Sequence, residues 1–530
     1  MLTTHRRVAT RGAIAMAATA ALTLMSVTTA SAHGDHGKDK ERAEKAQAEY
    51  SSGLNVPLVN SPNVNLVASN PGSAGISGCF TQSAPLFVMS SLDSIKVFDV
   101  SDPLNPSLTG TMPSAQFENE AMNCGERRSE SKSKGKSTVT SRFSLIGVDL
   151  YQANPADIQH VNVRPVDGYE LIVVDVTDPA NPHVRSRATS TTSTHTVNCI
   201  AETDCQYAYT AGNSKQKFSI IDLTDLDNPV EVDSDPATPG TQPFSSPTAG
   251  HKWNFDTAGF ATNTGYNGSS MFDVRDPRSP RLVTTTGLAG QGKNPDGSAN
   301  GYNDFIHHNS FRPNADAFKQ DKAPSFANGN VLLVTEEDYE QTDCSQAGSF
   351  QAWHVKRLDG TPDAIVPLDK VELSDLGTFP LPQGAFCSAH WFSYNPAGIV
   401  AIGYYGGGTQ LIDVRDPQHL KSYGYAVWGA SEVWDAYWMP VYDTNGRDTG
   451  QKTNLVYSVD LVRGLDVYAV DLPGGTQLTS GVGVGGIALG STAGPLGALT
   501  PPWDSVAIGT MLLIGLGGYL VRRRHATERV

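Results

Sequence analysis

The chain has no Cys-x-x-Cys pair, no His-Glu-x-x-His run, no Gly-x-Ser-x-Gly elbow, no phosphate loop and no dinucleotide fingerprint in a strand and helix context. These absences argue against a zinc–thiolate module and leave hydrolase, kinase and dehydrogenase readings without support. Amphipathic helical stretches are also missing between the apolar runs, which excludes a solenoid of helices. Basic residues are in deficit, 39 Lys and Arg against 54 Asp and Glu, for a net charge of −15. With the charges of the two chain ends set aside (Arg6, Arg7, Arg11; Arg522, Arg523, Arg524, Glu528, Arg529), the remainder is near −21. So acidic a body suits neither nucleic acid nor anionic headgroups, both of which need basic patches. The one basic patch, Arg127 to Lys136, contains Glu130 and reads as a solvated loop.

What is present is repetition. A short apolar run ending in Asp-Val-(Ser/Thr/Arg)-Asp-Pro recurs at Lys96–Pro103, Leu171–Pro179 and Ser270–Pro277, and again at Gln410–Pro417. Ser219–Asp225 is a close variant, and Asp466–Pro473 is degenerate. The gap between Asp273 and Asp413 has room for one more copy, which Ser349–Val355 fills. Each run reads as a strand stopped by a turn, with Pro ending the strand and Asp capping the turn through its side chain. Around the third run, 195–200, 205–212 and 229–232 supply three further strands. Four short antiparallel strands every 50 to 60 residues or so match the period of a propeller blade.

These runs resemble the LVIVD repeat family, whose unit reads approximately Leu-x-Ile-Val-Asp-Val-Ser-Asp-Pro-x-x-Pro and is followed closely by Leu171 to Pro182. The likeness covers most of residues 73 to 475 and implies an all-β, seven-bladed β-propeller. Six or eight blades remain compatible, because the units around Trp353 and Val467 depart from the pattern. The resemblance implies a fold and says little about chemistry. Asn63 to Ser69, an isolated strand-like run before the first unit, is expected to close the ring as the outer strand of the last blade and so hide both open edges.

Residues 1–32 combine Arg6, Arg7 and Arg11, an apolar run from Ala13 to Val27 and the small residues Ala30-Ser31-Ala32, the pattern of a secretory signal. Residues 33–62 form a charged arm, 63–475 the propeller and 476–503 a Gly-rich linker. Residues 504–521 read as a transmembrane helix, and 522–530, opening with three arginines, as a cytoplasmic tail. The positive-inside rule then leaves the propeller outside the cell. A rival reading takes the same tail as a sorting signal that is cut off. Six cysteines in an exported chain favour disulfides. Fifteen pairings exist, and proximity suggests Cys199 with Cys205, Cys79 with Cys124 and Cys344 with Cys387.

A second repeat, offset from the first, carries the functional signal. Glu120-Ala-Met-Asn-Cys, His195-Thr-Val-Asn-Cys, His251-Lys-Trp-Asn-Phe, His307-His308-Asn-Ser-Phe and His390-Trp-Phe-Ser-Tyr share an acid or His, two variable residues, Asn or Ser, and Cys or an aromatic. The segment precedes the second strand of its unit, which places it on the innermost strand, where equivalent side chains converge on the axis. His195, His251, His307 and His390 with Glu120 would then offer a transition metal such as Fe, Cu or Zn a ligand set, since neutral imidazole suits these ions. The inference depends on register: a slip of one residue turns a ligand away, and His308 is the alternative to His307. Repeat ancestry alone, with each His bonding backbone around the channel, accounts for the same pattern.

Glu336 and Glu337 follow a strand of the His307 unit and are candidates to orient imidazoles, and Asp435 lies in a Trp434–Trp438 segment at the matching place in the last blade. His33, freed by cleavage, would be a further copper chelate. Two classes of function remain: a surface-tethered binding module engaging a cell-surface protein or a small ligand, and a metal-binding protein or metal-dependent oxidoreductase. Neither substrate nor oligomeric state is legible.

Overall fold

The structure is a computed structural model that describes residues 58–475, apart from 72–73, 92–93, 114–119, 121, 132–135, 149–168, 213–215, 249, 293–301, 304, 339–342, 378–386 and 430. The segments read from sequence as a signal, most of the charged arm, the linker, the transmembrane helix and the tail lie outside the described residues. No helix among the described residues is long and apolar enough to cross a membrane.

Seven antiparallel sheets follow one another along the chain as the blades of a β-propeller. Their first strands are Gly75–Phe80, Asn123–Ser131, Thr196–Cys199, Gly250–Phe255, Ile306–Phe311, Phe392–Asn395 and Val433–Tyr442, numbered here as blades 1 to 7. The Asp-Pro runs are the third strands, as in Ser94–Asp99, Tyr169–Asp175 and Thr409–Asp413, and Phe350–Val355 fills the same place in blade 5. The turns that follow are built as their composition dictates. Asp99, Asp175, Asp222, Asp273 and Asp413 each accept the N–H two residues on, at 2.8–3.2 Å. The second Asp of the motif does the same, as with Asp102 and Asp178.

Both faces of a blade pack against neighbours, so strands such as Leu86–Ser91 and Val331–Glu337 are buried along their length. A separate apolar cluster fills each of the seven junctions between blades. Leu145 meets Val197 and Ile221 between blades 2 and 3, and Phe80 meets Tyr457 and Val459 between blades 7 and 1. That last junction closes the ring. Closure is completed by Val64–Pro71, which pairs with Gly464–Val470 as the outer strand of blade 7.

Two details differ from the sequence reading. Leu58–Asn60, assigned to the charged arm, adds a fifth strand to blade 6 by pairing with Lys421–Trp428. Of the basic patch at 127–136, read as a solvated loop, residues 127–131 and 136 lie on the paired strands Asn123–Ser131 and Lys136–Val148. Arg127 on the first of these strands donates to Thr224 O at 2.7 Å and pairs with Asp204 at 3.3 Å, which uses its charge internally.

Three disulfides form. Cys79–Cys124 links blades 1 and 2, Cys344–Cys387 links blades 5 and 6, and Cys199–Cys205 closes a short loop inside blade 3.

Candidate metal centre

At the start of each first strand one residue is aimed at the axis. In four blades the strand ladder skips that residue: Ile76, His251, His308 and Trp434 each sit between successive paired positions. A bulge of this kind re-aims a side chain out of the regular alternation. In blade 6 the same offset appears as a shared partner: His390 N donates to Gly403 O at 2.9 Å, and Gly403 N donates to Trp391 O at 3.0 Å. Glu120 and His195 occupy the place just ahead of the strands of blades 2 and 3.

The result is a buried ring of side chains. His195 Nε2 lies 2.7 Å from Glu120 Oε2, and His251 Nε2 lies 3.6 Å from the same oxygen. These two imidazole nitrogens are 3.2 Å apart. On the other side of Glu120, its Oε1 is 3.0 Å from His390 Nε2 and 3.9 Å from His308 Nε2. Glu337 joins from the end of the second strand of blade 5, at 3.5 Å from His308 and 3.8 Å from His390. Ligand atoms within 4.8 Å of one another thus form two overlapping sets, Glu120–His308–Glu337–His390 and Glu120–His195–His251.

Register decides who takes part. His308 is the member contributed by blade 5, and His307 is not. His307 pairs in the ladder with Glu336, and its Nδ1 lies 2.9 Å from Ser269 Oγ of blade 4. Burial among apolar groups there holds its imidazole down at about 3. Glu336 and Glu337 separate for the same reason, since consecutive strand residues face opposite ways. Glu336 accepts from Ser349 Oγ at 2.7 Å, Gln351 Nε2 at 3.1 Å and Phe305 N at 3.0 Å, away from the imidazoles.

The surrounding groups fix the ring in place. His390 Nδ1 is 2.6 Å from Trp434 O. A carbonyl only accepts, so Nδ1 carries a proton, and Nε2 faces Glu120. Tyr405 hydrogen-bonds Glu337 through its hydroxyl, and its ring lies 4.7 Å from that of His390. Tyr405 adopts a left-handed backbone with φ of 47°, an outlier for a bulky residue and a form of strain that concentrates at functional sites. Burial and the neighbouring Glu337 carboxylate raise its phenol well above the usual range. Ile76, Trp434 and Tyr405 form an apolar patch beside the ring.

A chamber of about 290 Å³ lies beside the ring, lined by sequence neighbours of its members such as Lys252 and Trp391. Residues three beyond the axial position line it in all seven blades, Asn123, Asn198 and Asn254 among them. Asp435, a sequence candidate, belongs to this chamber and not to the ring. Burial raises its carboxyl to about 7 and lowers the nearby Lys252 ammonium to about 8, with each charge partly offsetting the other's shift. Lys252 Nζ sits 3.7 Å from the centre of the Trp391 ring, whose centroid is 4.1 Å from that of His308. Lys252 and Trp391 stand beside ring histidines in sequence and were legible as neighbours. Tyr405 lies outside the repeat register and carries no sequence signal.

No family model matches the chain, and no curated protein matches it. Among solved structures, the β-propeller domain of Myceliophteria thermophila Cps50 (Swd1) aligns at 10% identity with a TM-score of 0.44, over 77% of this chain and 99% of that one. Kuenenia stuttgartiensis hydrazine synthase aligns at 11% identity with a TM-score of 0.39, over 74% and 94%.

Proposed function

We propose that this chain is an extracytoplasmic β-propeller that holds a first-row transition metal on its axis and acts as a metalloprotein of redox type. The observation that carries this reading is the crowding of basic nitrogens and carboxylate oxygens around Glu120: four imidazole Nε2 atoms from four blades surround two carboxylates in a buried ring. His390 Nε2 lies 3.0 Å from a carboxylate oxygen of Glu120, a spacing bridged either by a shared proton or by a bound cation. His195, His251, His308 and His390, with Glu120 and Glu337, would hold the metal, and imidazole with carboxylate suits iron, copper or zinc. Bound iron or copper would supply electron transfer or oxygen chemistry. The protein's own residues fix tautomers through Trp434 O, hold Glu337 through Tyr405, and exclude water from the ring.

Elemental analysis of the full chain purified in detergent tests the reading, with about one equivalent of one metal expected. Less than about a tenth of an equivalent, unchanged after reconstitution, assigns the ring to shared protons instead.

The scaffold also serves as an interaction module. Its place at the cell surface rests on the secretory pattern, on the three disulfides, which fit an oxidising compartment, and on residues 504–521 as anchor. Detection of residues 522–530 in the membrane fraction tests the anchor against a cleaved sorting signal.

A further inference from the structure

We propose that the axial ring contains two metal sites: a sealed four-donor site, Glu120–His308–Glu337–His390, and an open three-donor site, Glu120–His195–His251, that takes a second, exchangeable ion. The proposal rests on the metal-centre reading and adds to it the number of ions and the way the donors divide between them.

Distance divides the donors. Opposite donors of one octahedral ion stand about 4.0–4.4 Å apart at bond lengths of about 2.0–2.2 Å, and the six ring residues do not fall into one group within 4.8 Å. Glu120 belongs to both groups because each of its oxygens serves one of them: Oε2 lies 2.7 Å from His195 Nε2, and Oε1 lies 3.0 Å from His390 Nε2. A carboxylate so placed can bridge two ions, which in two-metal sites stand about 3.5–4 Å apart.

Each group also has the spacing of a coordination shell. Donors around a tetrahedral ion are roughly 3.3–3.6 Å apart. In the three-donor group the separations are 2.7, 3.2 and 3.6 Å. In the four-donor group the imidazole-to-carboxylate separations run from 3.0 to 3.9 Å. Four protein donors close a shell, whereas three leave a position for water or another small ligand.

Exposure ranks the two sites. Of the ring residues, only His195 and His251 keep measurable exposure, 3% and 5%, against 0% for Glu120, His308, Glu337 and His390. An ion in the four-donor group is walled off and stays through purification; one between His195 and His251 exchanges with solvent. Charge ranks them the same way. Two carboxylates balance the first dication, while the second has only a share of Glu120 and needs an anion such as hydroxide at its open position. Its entry displaces the proton held between His195 and Glu120.

The test titrates Cu(II) into the metal-stripped full chain in detergent and follows bound copper and its EPR spectrum. Over the first equivalent an isolated-spin signal should grow. Over the second it should fall to less than about a fifth, because two spins held about 4 Å apart on one carboxylate couple. His195→Ala and, independently, His251→Ala should keep the first equivalent and leave its isolated signal intact at any excess. Absence of bound copper sinks the metal centre and this proposal together. One bound equivalent whose isolated spectrum persists through excess copper keeps the metal centre and overturns the second site. A second equivalent that adds its own isolated signal overturns it too, since that is the mark of a separate chelate such as one at His33. Coupling that survives in both variants overturns the donor assignment, and the unmutated chain decides the number of sites without either variant.

Discussion

His307 and His308 are adjacent in the chain and point to different compartments: His307 Nδ1 lies 2.9 Å from Ser269 Oγ in the junction between blades 4 and 5, whereas His308 Nε2 stands 3.5 Å from Glu337 Oε2 in the axial ring. One skipped ladder position separates the two roles.

That separation gives paired substitutions. His308→Ala should lower metal content below about a tenth of an equivalent, since ring imidazoles supply most of the donor set. His307→Ala should leave metal content within about twofold and lower stability by about 1–3 kcal/mol, because it empties a packed site and strands Ser269. Elemental analysis and urea unfolding of both proteins check this. Equal metal loss in the two variants would contradict the register.

Asp435 predicts a pH dependence. Its folded-state carboxyl is raised to about 7, chiefly by burial, so the folded chain binds more protons than the unfolded one from about pH 4 upward. This group's contribution is fully present below pH 4 and is lost as pH rises through 7, at up to about 1.4 kcal/mol per pH unit. Asp435→Asn should flatten that part of the stability profile, measured by denaturant midpoints from pH 4 to 8. An unchanged slope would show that Lys252 already neutralises the carboxylate.

The disulfides should differ in weight. Cys79–Cys124 spans 45 residues and Cys199–Cys205 only 6. Loop-closure entropy makes the first worth about 4 kcal/mol and the second about 2. Replacing each pair by alanines should shift the urea midpoint roughly twice as far for the longer loop, and the reverse order would point to native-state strain as the governing factor.

Ring closure is testable at Val64, which is 1% exposed and packs with Tyr468 and Val470. Val64→Asp buries a charge in that cluster and should cost more than about 3 kcal/mol. Thermal unfolding checks it, and a loss below about 1 kcal/mol would mean the strand is dispensable.

The architecture was legible because a blade declares itself locally: an apolar run, then Asp-Pro, with each Asp capping its own turn, as Asp175 and Asp178 do. The closing strand at Val64 was legible from an unmatched strand-like run. The axial ring was readable only to within one residue. Its members are aimed by bulges that skip one residue alike at 251 and 308, and in blade 5 the adjacent His307-His308 pair, with Ser310 three beyond the first, drew the match one residue early. Glu337 and Tyr405 reach the ring from a second strand and a connecting loop, so no shared spacing marks them.

Val64 pairs with Val470, so a strand from the very start of the wheel finds its partner only when almost the whole domain has been made. Until then a nascent chain carries an unpaired edge, and assembly is governed by a contact of very large sequence separation, which slows folding and invites pairing with other chains. Residues 64–71 must therefore be shielded until the last blade is made, and chaperone demand should track the synthesis of the seventh blade and not of the first.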